Sequence, residues 1–472
     1  MIVTRFAPSP TGHLHLGNMR SCFLNWAYSK KNNGKFILRY DDTDQERSKD
    51  EYVKSIASDL EWLKINYDEI FYQSKRIDRY NELFDQLISL KLVYPCFETT
   101  EDLDIKKKLL LKAGKPPIYD RSSLNLSKDD IENKISNGNQ PYWRFKLSQS
   151  KIKWNDLVKG ETEVDLASQS DPVLRRADGS YLYHFPSVVD DIDMNISHII
   201  RGEDHLTNSA IHLELFKSLN SDLPSLGHNP LMLNEDGTKL SKRNLDSISL
   251  NQFKKKGYTV NSILSYLYSL GLNSDYDFES ILIDNFKDFN LENISKNLPK
   301  IDIHKINFFQ KNSLRSMSLE NLNKEFPELK KLALTEMEWE LIKHNVDKYE
   351  DIVNLWNIIN RREIKVKPSE DFIKLLIKNL NGFSNLSFDE YVNHIMNIDK
   401  NFSKKDIFTN TRYILTGNQN GPSVKDLYNY CEDQNINIKK VIGVNENNTS
   451  LIKRSNLEMK NLFSKLGIFL IG

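Results

Sequence analysis

A chain of 472 residues with 65 Lys+Arg against 65 Asp+Glu carries no net charge, which excludes a protein built around one dominant basic or acidic surface. Its 39% hydrophobic and 28% charged residues describe a globular protein long enough for several domains of ~100–200 residues each. The three cysteines, Cys22, Cys96 and Cys431, are too dispersed for a disulfide framework or a Cys-x-x-Cys zinc site and fit a reducing cytosol, and no apolar run approaches the ~18 residues that span a bilayer.

Ile2–Phe6 is a short β-favouring run that must end at Pro8 and Pro10. After Gly12, Leu16, Met19, Phe23 and Ala27 recur at three- and four-residue steps, which predicts a helix with Gly34 as its stop. Phe36–Tyr40 reads as a second strand, closing on Asp41-Asp42-Thr43-Asp44. A second helix runs through Tyr52, Ile56, Leu60 and Leu63. Strand, helix, strand, helix predicts a parallel α/β sheet. A helix near 74–92 then stops before Tyr94-Pro95.

From there to about Pro186 the texture changes. Pro116-Pro117, Gly138-Asn139, Pro141 and the strand-like Tyr142–Lys146 indicate an inserted domain. Val188–Asp193 and His198–Gly202 read as strands that resume the sheet. A turn-rich Asn234–Thr238 leads into Lys239-Leu240-Ser241-Lys242-Arg243. Beyond about residue 300 the pattern is helical, with amphipathic stretches at 338–360 and 369–380, Asn-rich loops such as Asn447-Asn448, and no internal repeat. The expected architecture is α/β. A Rossmann-like parallel-sheet catalytic domain (1–94 and 187–235) is split by an α+β insert (95–186). A lysine-loop region (236–304) and an all-helical region (305–472) follow.

Two stretches carry chemistry. In a doubly wound sheet, ligands sit beyond the carboxyl ends of the strands, where Pro8–Gly17 would lie. Gly12 would allow a tight turn, Gly17 would leave room for a flat base, and His15 with the first helix amides could face phosphate oxygens. Taken alone, such a segment is more often a punctuated loop, and a lysine pair such as Lys239 and Lys242 is more often a solvated basic loop.

The longer strings change that balance. Arg5-Phe6-Ala7-Pro8-Ser9-Pro10-Thr11-Gly12, with His15-Leu16-Gly17-Asn18, resembles the signature of class I aminoacyl-tRNA synthetases in its glutamyl form. Thr238–Arg243 resembles the same family's lysine loop. The likeness continues through Asp171–Ser180 and Val188–Asp191. It is specific over about residues 1–270, and beyond that it rests on length and helical texture.

The resemblance implies activation of L-glutamate by ATP to glutamyl-adenylate, with release of pyrophosphate, and transfer to the 3′ end of tRNA(Glu), also or instead tRNA(Gln). It assigns His15, Lys239 and Lys242 to catalysis. Gly12, His15, Gly17 and Lys242 fall to ATP. Arg5, Ala7, Ser9, Asp41, Tyr183 and Arg201 fall to glutamate, the arginines taking its carboxylates and Asp41 its ammonium. Mg2+ would ride on the ATP phosphates through water, with no dedicated protein cage. Zinc is not expected, since Cys96-Phe97-Glu98 and Arg121-Ser122-Ser123 lack the paired cysteines of some relatives. The insert would hold the tRNA acceptor end and the helical region would read the anticodon. A cytoplasmic monomer with no membrane partner is expected.

Three positions depart from the usual family pattern: Asn18 for a second histidine, Asp41 for glutamate and Ser187 for asparagine. Arg361, Arg362 and Arg412 are basic, but each is as readily a solvated helix face, and none is assigned to the anticodon. A glutaminyl-tRNA synthetase is disfavoured by Pro8-Ser9-Pro10-Thr11-Gly12 and by the helical tail. A short paralogue that modifies a tRNA base is disfavoured by the presence of residues 300–472. A non-catalytic RNA-binding relative is disfavoured because both signature stretches are intact.

Overall fold

The structure is a computed structural model and describes residues 1–240, 246–270, 286–360, 364–383, 386–434 and 438. The described chain divides into two compact units, one of residues 1–255 with 263–305 and the other of 256–262 with 306–472.

In the first unit, β1 (Val3–Phe6) leads through the Pro8–Gly12 turn into α1 (Leu16–Lys31) and β2 (Lys35–Tyr40), which pairs parallel to β1. Helix α2 (Asp50–Trp62) and β3 (Glu69–Tyr72) extend the sheet, with β3 parallel to β2. The Glu-Ile-Phe-Tyr run of β3 is too short to stand out by alternation. Helix α3 (Ile77–Ser89) follows.

The predicted stop of α1 falls elsewhere. Asn32 caps the helix and Asn33 takes the left-handed turn at φ 49°. Gly34 serves close approach instead, since a Cβ there would sit 2.3 Å from the Ile2 carbonyl oxygen.

The next segment forms its own small sheets. Strands β4 (Val93–Cys96), β5 (Tyr142–Phe145) and β8 (Val173–Arg175) are antiparallel in the order β4-β5-β8, and Pro95 is tolerated because β4 is an edge. Helices α4 (Thr100–Lys112) and α5 (Lys128–Ser136) lie between β4 and β5, and each opens with a capping box, from Thr99 and Ser127. Strands β6 (Lys151–Asp156) and β7 (Gly160–Asp165) make a hairpin, and the Leu157 amide donates to the Leu226 carbonyl at 2.8 Å.

The chain then returns through α6 (His184–Asp193), β9 (His198–Gly202), α7 (Leu206–Ser218) and β10 (Ser225–Asn229). Strands β9 and β10 pair parallel, and the Ser197 amide donates to the Val3 carbonyl at 3.0 Å, setting β9 beside β1. The two parallel sheets, β1-β2-β3 and β10-β9, thus lie side by side with β9 next to β1, and the chain's strand order reverses at that junction.

The Val188–Asp193 segment, expected as a strand, is the second half of α6. Its Val188-Val189 pair is β-branched and its end is polar. In the fold, Phe185, Val188 and Val189 bury a helical stripe in the core, and Asp190 and Asp191 are buried because arginines meet them. Tertiary packing thus overrides local propensity. Pro186 costs little, lying in the first turn where no intrahelical donor is required.

After β10 come α8 (Leu250–Lys255) and α9 (Val260–Ser269). Phe286 packs edge-on against Trp26 of α1, with ring centroids 5.4 Å apart.

The second unit is helical: α10 (Ile303–Ser316) leads in from the first, followed by α11 (Leu319–Glu325), α12 (Glu336–Ile342), α13 (Tyr349–Asn360), α14 (Glu370–Lys378), α15 (Phe388–Ile398), α16 (Lys404–Thr416) and α17 (Val424–Asp433). The amphipathic 338–360 stretch is two helices, α12 and α13. One core gathers around the fully buried Trp339 and another around Tyr391 and Phe388. Asn447-Asn448, Arg361 and Arg362 lie outside the described residues.

Candidate active site

The carboxyl ends of β1, β2, β9 and β10 open onto a cleft of about 960 Å3. It lies at the point where the strand order reverses, the expected ligand position in an open α/β sheet. Of the residues assigned from sequence, Arg5, Ala7, Ser9, His15, Gly17, Asp41, Tyr183, Arg201 and Lys239 line it. Gly12 does not. A Cβ at Gly12 would meet nothing within 4 Å and its φ is outside the left-handed region, so the turn does not need a glycine there. Lys242 lies outside the described residues, with Ser241 and Arg243.

His15 is the N-cap of α1. Its Nδ1 accepts from the Gly17 amide at 3.1 Å, and the Asn18 side chain accepts from the His15 amide at 2.8 Å. Asn18 is therefore well used without a charge. Because Nδ1 is an acceptor, the ring proton of the neutral imidazole resides on Nε2. Burial lowers the His15 pKa, favouring that neutral form. The helix end thus offers a neutral N–H donor beside amides already suited to anions.

The lysine stretch meets this helix end. Asn234–Thr238 closes a turn through Asn234 N to Thr238 O at 2.8 Å, with Gly237 at φ 84°. The chain then brings Leu240 over Gly17: a Cβ built on Gly17 would lie 3.4 Å from the Leu240 Cδ1 and 3.0 Å from the His15 ring. On the far side of the stretch, Ser249 bridges His15 and the Leu250 amide donates to the Leu14 carbonyl at 2.9 Å. Both flanks of 241–245 are fixed beside the start of α1.

The cationic wall is built in two ways. Arg5 gives Nε and Nη2 to Asp191 at 3.1 and 3.4 Å. Arg39 gives Nη1 to Asp191 at 2.6 Å and Nε to Asp41 at 2.7 Å. The two arginines hold the Asp191 carboxyl below the usual range against its burial, whereas burial pushes Asp41 up despite Arg39.

Arg201 differs. It is 7% exposed, and among the described residues no carboxylate lies within ion-pair distance of it. Its Nη1 donates to the Tyr183 hydroxyl at 2.9 Å, its Nη2 to Ser209 Oγ at 2.6 Å, and its buried Nε has no partner. A buried cation without a counter-ion is costly and marks a place for an anion.

The surroundings of Arg201 are kept neutral. Burial first, and then Arg201, lower His184 and His205 to about 4. Between pH 6.5 and about 4 the unfolded chain binds these protons and the folded chain does not, so stability should fall with pH across that window. Melting temperatures recorded from pH 7 to 4.5 should drop, and less steeply in His184→Asn; identical slopes would show that His184 takes no part.

Several site residues were not assigned from sequence. Arg39, Asp190 and Asp191 stood within quoted motifs, and their pairing across strands gave no local signal. Asn18, His205, Asn208 and Asn229 also line the cleft. Ser187 lines it as well, with its buried Oγ unpartnered.

A strand-to-helix turn and a later lysine stretch, joined at the switch point of a parallel sheet, are the arrangement of a class I aminoacyl-tRNA synthetase. The family model described as tRNA synthetases class I (E and Q), catalytic domain, matches residues 1–308. Glutamate–tRNA ligase 1 of Bartonella quintana is 43% identical over 377 residues, 76% of this chain and 81% of that one. Glutamate–tRNA ligase 2 of Bartonella bacilliformis is 40% identical over 449 residues, 90% and 97% of the two chains. A glutamate tRNA ligase from Elizabethkingia meningosepticum, solved in complex with its amino acid, superposes with a TM-score of 0.81 at 26% identity, covering 93% of this chain and 99% of that one. The chain belongs to the glutamate–tRNA ligase family.

Proposed function

We propose that this chain joins L-glutamate to tRNA(Glu) in two steps. An oxygen of the glutamate α-carboxylate attacks the α-phosphorus of ATP. The bond to the β-phosphate breaks and pyrophosphate leaves. A hydroxyl of the tRNA terminal ribose then attacks the acyl carbon, and AMP leaves. Arg201 carries the choice of an acidic amino acid. It is a buried guanidinium with no carboxylate in contact among the described residues, lining the cleft beside Arg5. A glutamine substrate would present one carboxylate to this wall, whereas glutamate presents two.

In this reading Arg5 and Arg201 take the two carboxylates and Asp41 takes the ammonium, while Ala7, Ser9 and Tyr183 shape the wall. His15 Nε2 and the first amides of α1 bind phosphate oxygens, and Gly17 leaves space above the helix. Lys239 and Lys242 act on the charge that builds on the departing pyrophosphate. Magnesium arriving with ATP supplies further neutralisation of that charge. Of the acidic residues lining the cleft, Asp41 and Glu203 are engaged by Arg39 and Lys159, at 2.7 and 2.5 Å, whereas Asp204 is half exposed.

Residues 95–186 receive the acceptor end and the helical region the anticodon. Arg412 donates to the Pro422 carbonyl at 2.8 Å, which gives it a structural use. Three dispersed, buried cysteines support the cytosol as compartment, and none of the described helices is long and apolar enough to cross a membrane. The resemblance supports a monomer.

The test is charging of purified tRNA(Glu) and tRNA(Gln) with labelled glutamate and labelled glutamine. Glutamate should appear on tRNA(Glu), and glutamate on tRNA(Gln) would add a second tRNA substrate. Glutamine charged directly, with no glutamate, would overturn the proposal.

A further inference from the structure

The hydrogen bonds behind Arg201 run away from the cleft in one unbroken line. Ser209 Oγ receives Arg201 Nη2 at 2.6 Å and lies 2.6 Å from His228 Nε2. His228 Nδ1 lies 2.5 Å from Asp156 Oδ2. Relative exposures are 7% for Arg201, 0% for Ser209, 0% for His228 and 3% for Asp156, so water does not compete along the line.

The proton positions follow from chemistry. A guanidinium can only donate, so Ser209 Oγ accepts from it. A carboxylate can only accept, so His228 carries its proton on Nδ1. Its Nε2 is then the acceptor for the Ser209 hydroxyl proton. Burial depresses the His228 pKa, in keeping with a neutral ring. If His228 were protonated at both nitrogens, Ser209 Oγ would face two donors and its own proton would lose its acceptor. Asp156 is itself fixed: its Oδ1 accepts from the amides of Val158, Lys159 and His228 at 3.0, 3.0 and 2.9 Å, and its Oδ2 from the Trp154 indole at 3.2 Å.

Arg5 and Arg201 thus meet their counter-charges in different ways. The Asp191 carboxylate touches Arg5 directly. Asp156 is separated from Arg201 by a serine and an imidazole. A carboxylate placed against Arg201 would compete with an incoming substrate carboxylate. One held two groups away orients and polarises the guanidinium while leaving its Nε without a partner.

We propose that Asp156, His228 and Ser209 are positioning residues for amino-acid recognition, a remote counter-charge that fixes Arg201 without occupying its anion site. Asp156 belongs to the hairpin β6–β7, so this assigns that hairpin a part in selecting glutamate as well as a structural one. The proposal rests on the reading of Arg201 as a carboxylate grip.

The test uses the full-length enzyme with tRNA, comparing Ser209→Ala, Asp156→Asn, the double variant and Arg201→Ala. Each of the first two should raise the KM for glutamate ~10-fold or more, the usual scale for losing a hydrogen bond to a charged group, with the KM for ATP within about twofold of wild type. The double variant should be no worse than the more damaged single, because one line is cut only once. Additive effects, a parallel rise in both KM values, or an unchanged glutamate KM in Ser209→Ala would overturn the proposal. Asp156→Asn puts an amide against three backbone donors. If its melting transition is lost, Ser209→Ala decides by the split between the two KM values. An unchanged glutamate KM in Arg201→Ala would instead overturn the underlying reading of Arg201.

Discussion

Replacing His15 with alanine should slow pyrophosphate exchange dependent on glutamate and ATP by about 10²–10³-fold, the usual loss for one preorganised donor to a developing charge. The effect should fall on the rate, because in the proposed reading the imidazole meets phosphate oxygens and the amino acid lies against the arginines. Alanine also removes the acceptor for the Gly17 amide, so part of any effect could reflect a frayed helix start. His15→Asn separates the two. Asparagine caps well and should restore the melting temperature, but its shorter side chain cannot place a donor where Nε2 stands. If His15→Asn recovers both stability and exchange rate, the imidazole is a cap and nothing more.

Arg201→Ala should lower kcat/KM for glutamate by about 10²-fold or more, since a buried charge pair truncated on one side costs roughly 2–5 kcal/mol. The unliganded protein should respond in the opposite direction. Arg201 has no carboxylate partner among the described residues and carries an unpartnered buried Nε. Removing it takes away a buried charge that no carboxylate touches directly among the described residues, so the variant should melt at the wild-type temperature or slightly above it. Added glutamate should raise the melting temperature of wild type and leave that of Arg201→Ala nearly unmoved. A variant that melts several degrees lower would mean that Arg201 is a structural ion-pair member, and the assignment would fail.

The parts of the site that were legible in the sequence are the local ones. Residues 5–17 place a strand end, a turn and a helix start within a few steps of one another, so contiguous sequence already constrains their geometry. Lys239 was readable for the same reason, through the turn that precedes it. The first two strands and helices followed from periodicity, whereas β3 was too short and too exposed on one side to register. Helix α6 was misread because its acidic residues looked like a strand end meeting solvent. They are buried only because Arg5, Arg39 and Arg76, remote in sequence, arrive to meet them. Gly34 was read as a helix stop when its role is contact with Ile2. The Asp156–His228–Ser209 line was invisible in principle: its members span 72 positions and none sits in a pattern that periodicity or composition can detect.

Leu240 rests over Gly17 and Leu250 is pinned to Leu14, so the chain on either side of 241–245 is anchored at the same helix start. In the proposed reading a lysine between these anchors acts as a tethered group, whose effective molarity at the phosphates is set by tether length more than by affinity. Lengthening the tether with flexible residues would dilute the lysine without touching a single contact in the cleft. In that reading the rate should be sensitive to chain length at a place where most proteins tolerate insertions.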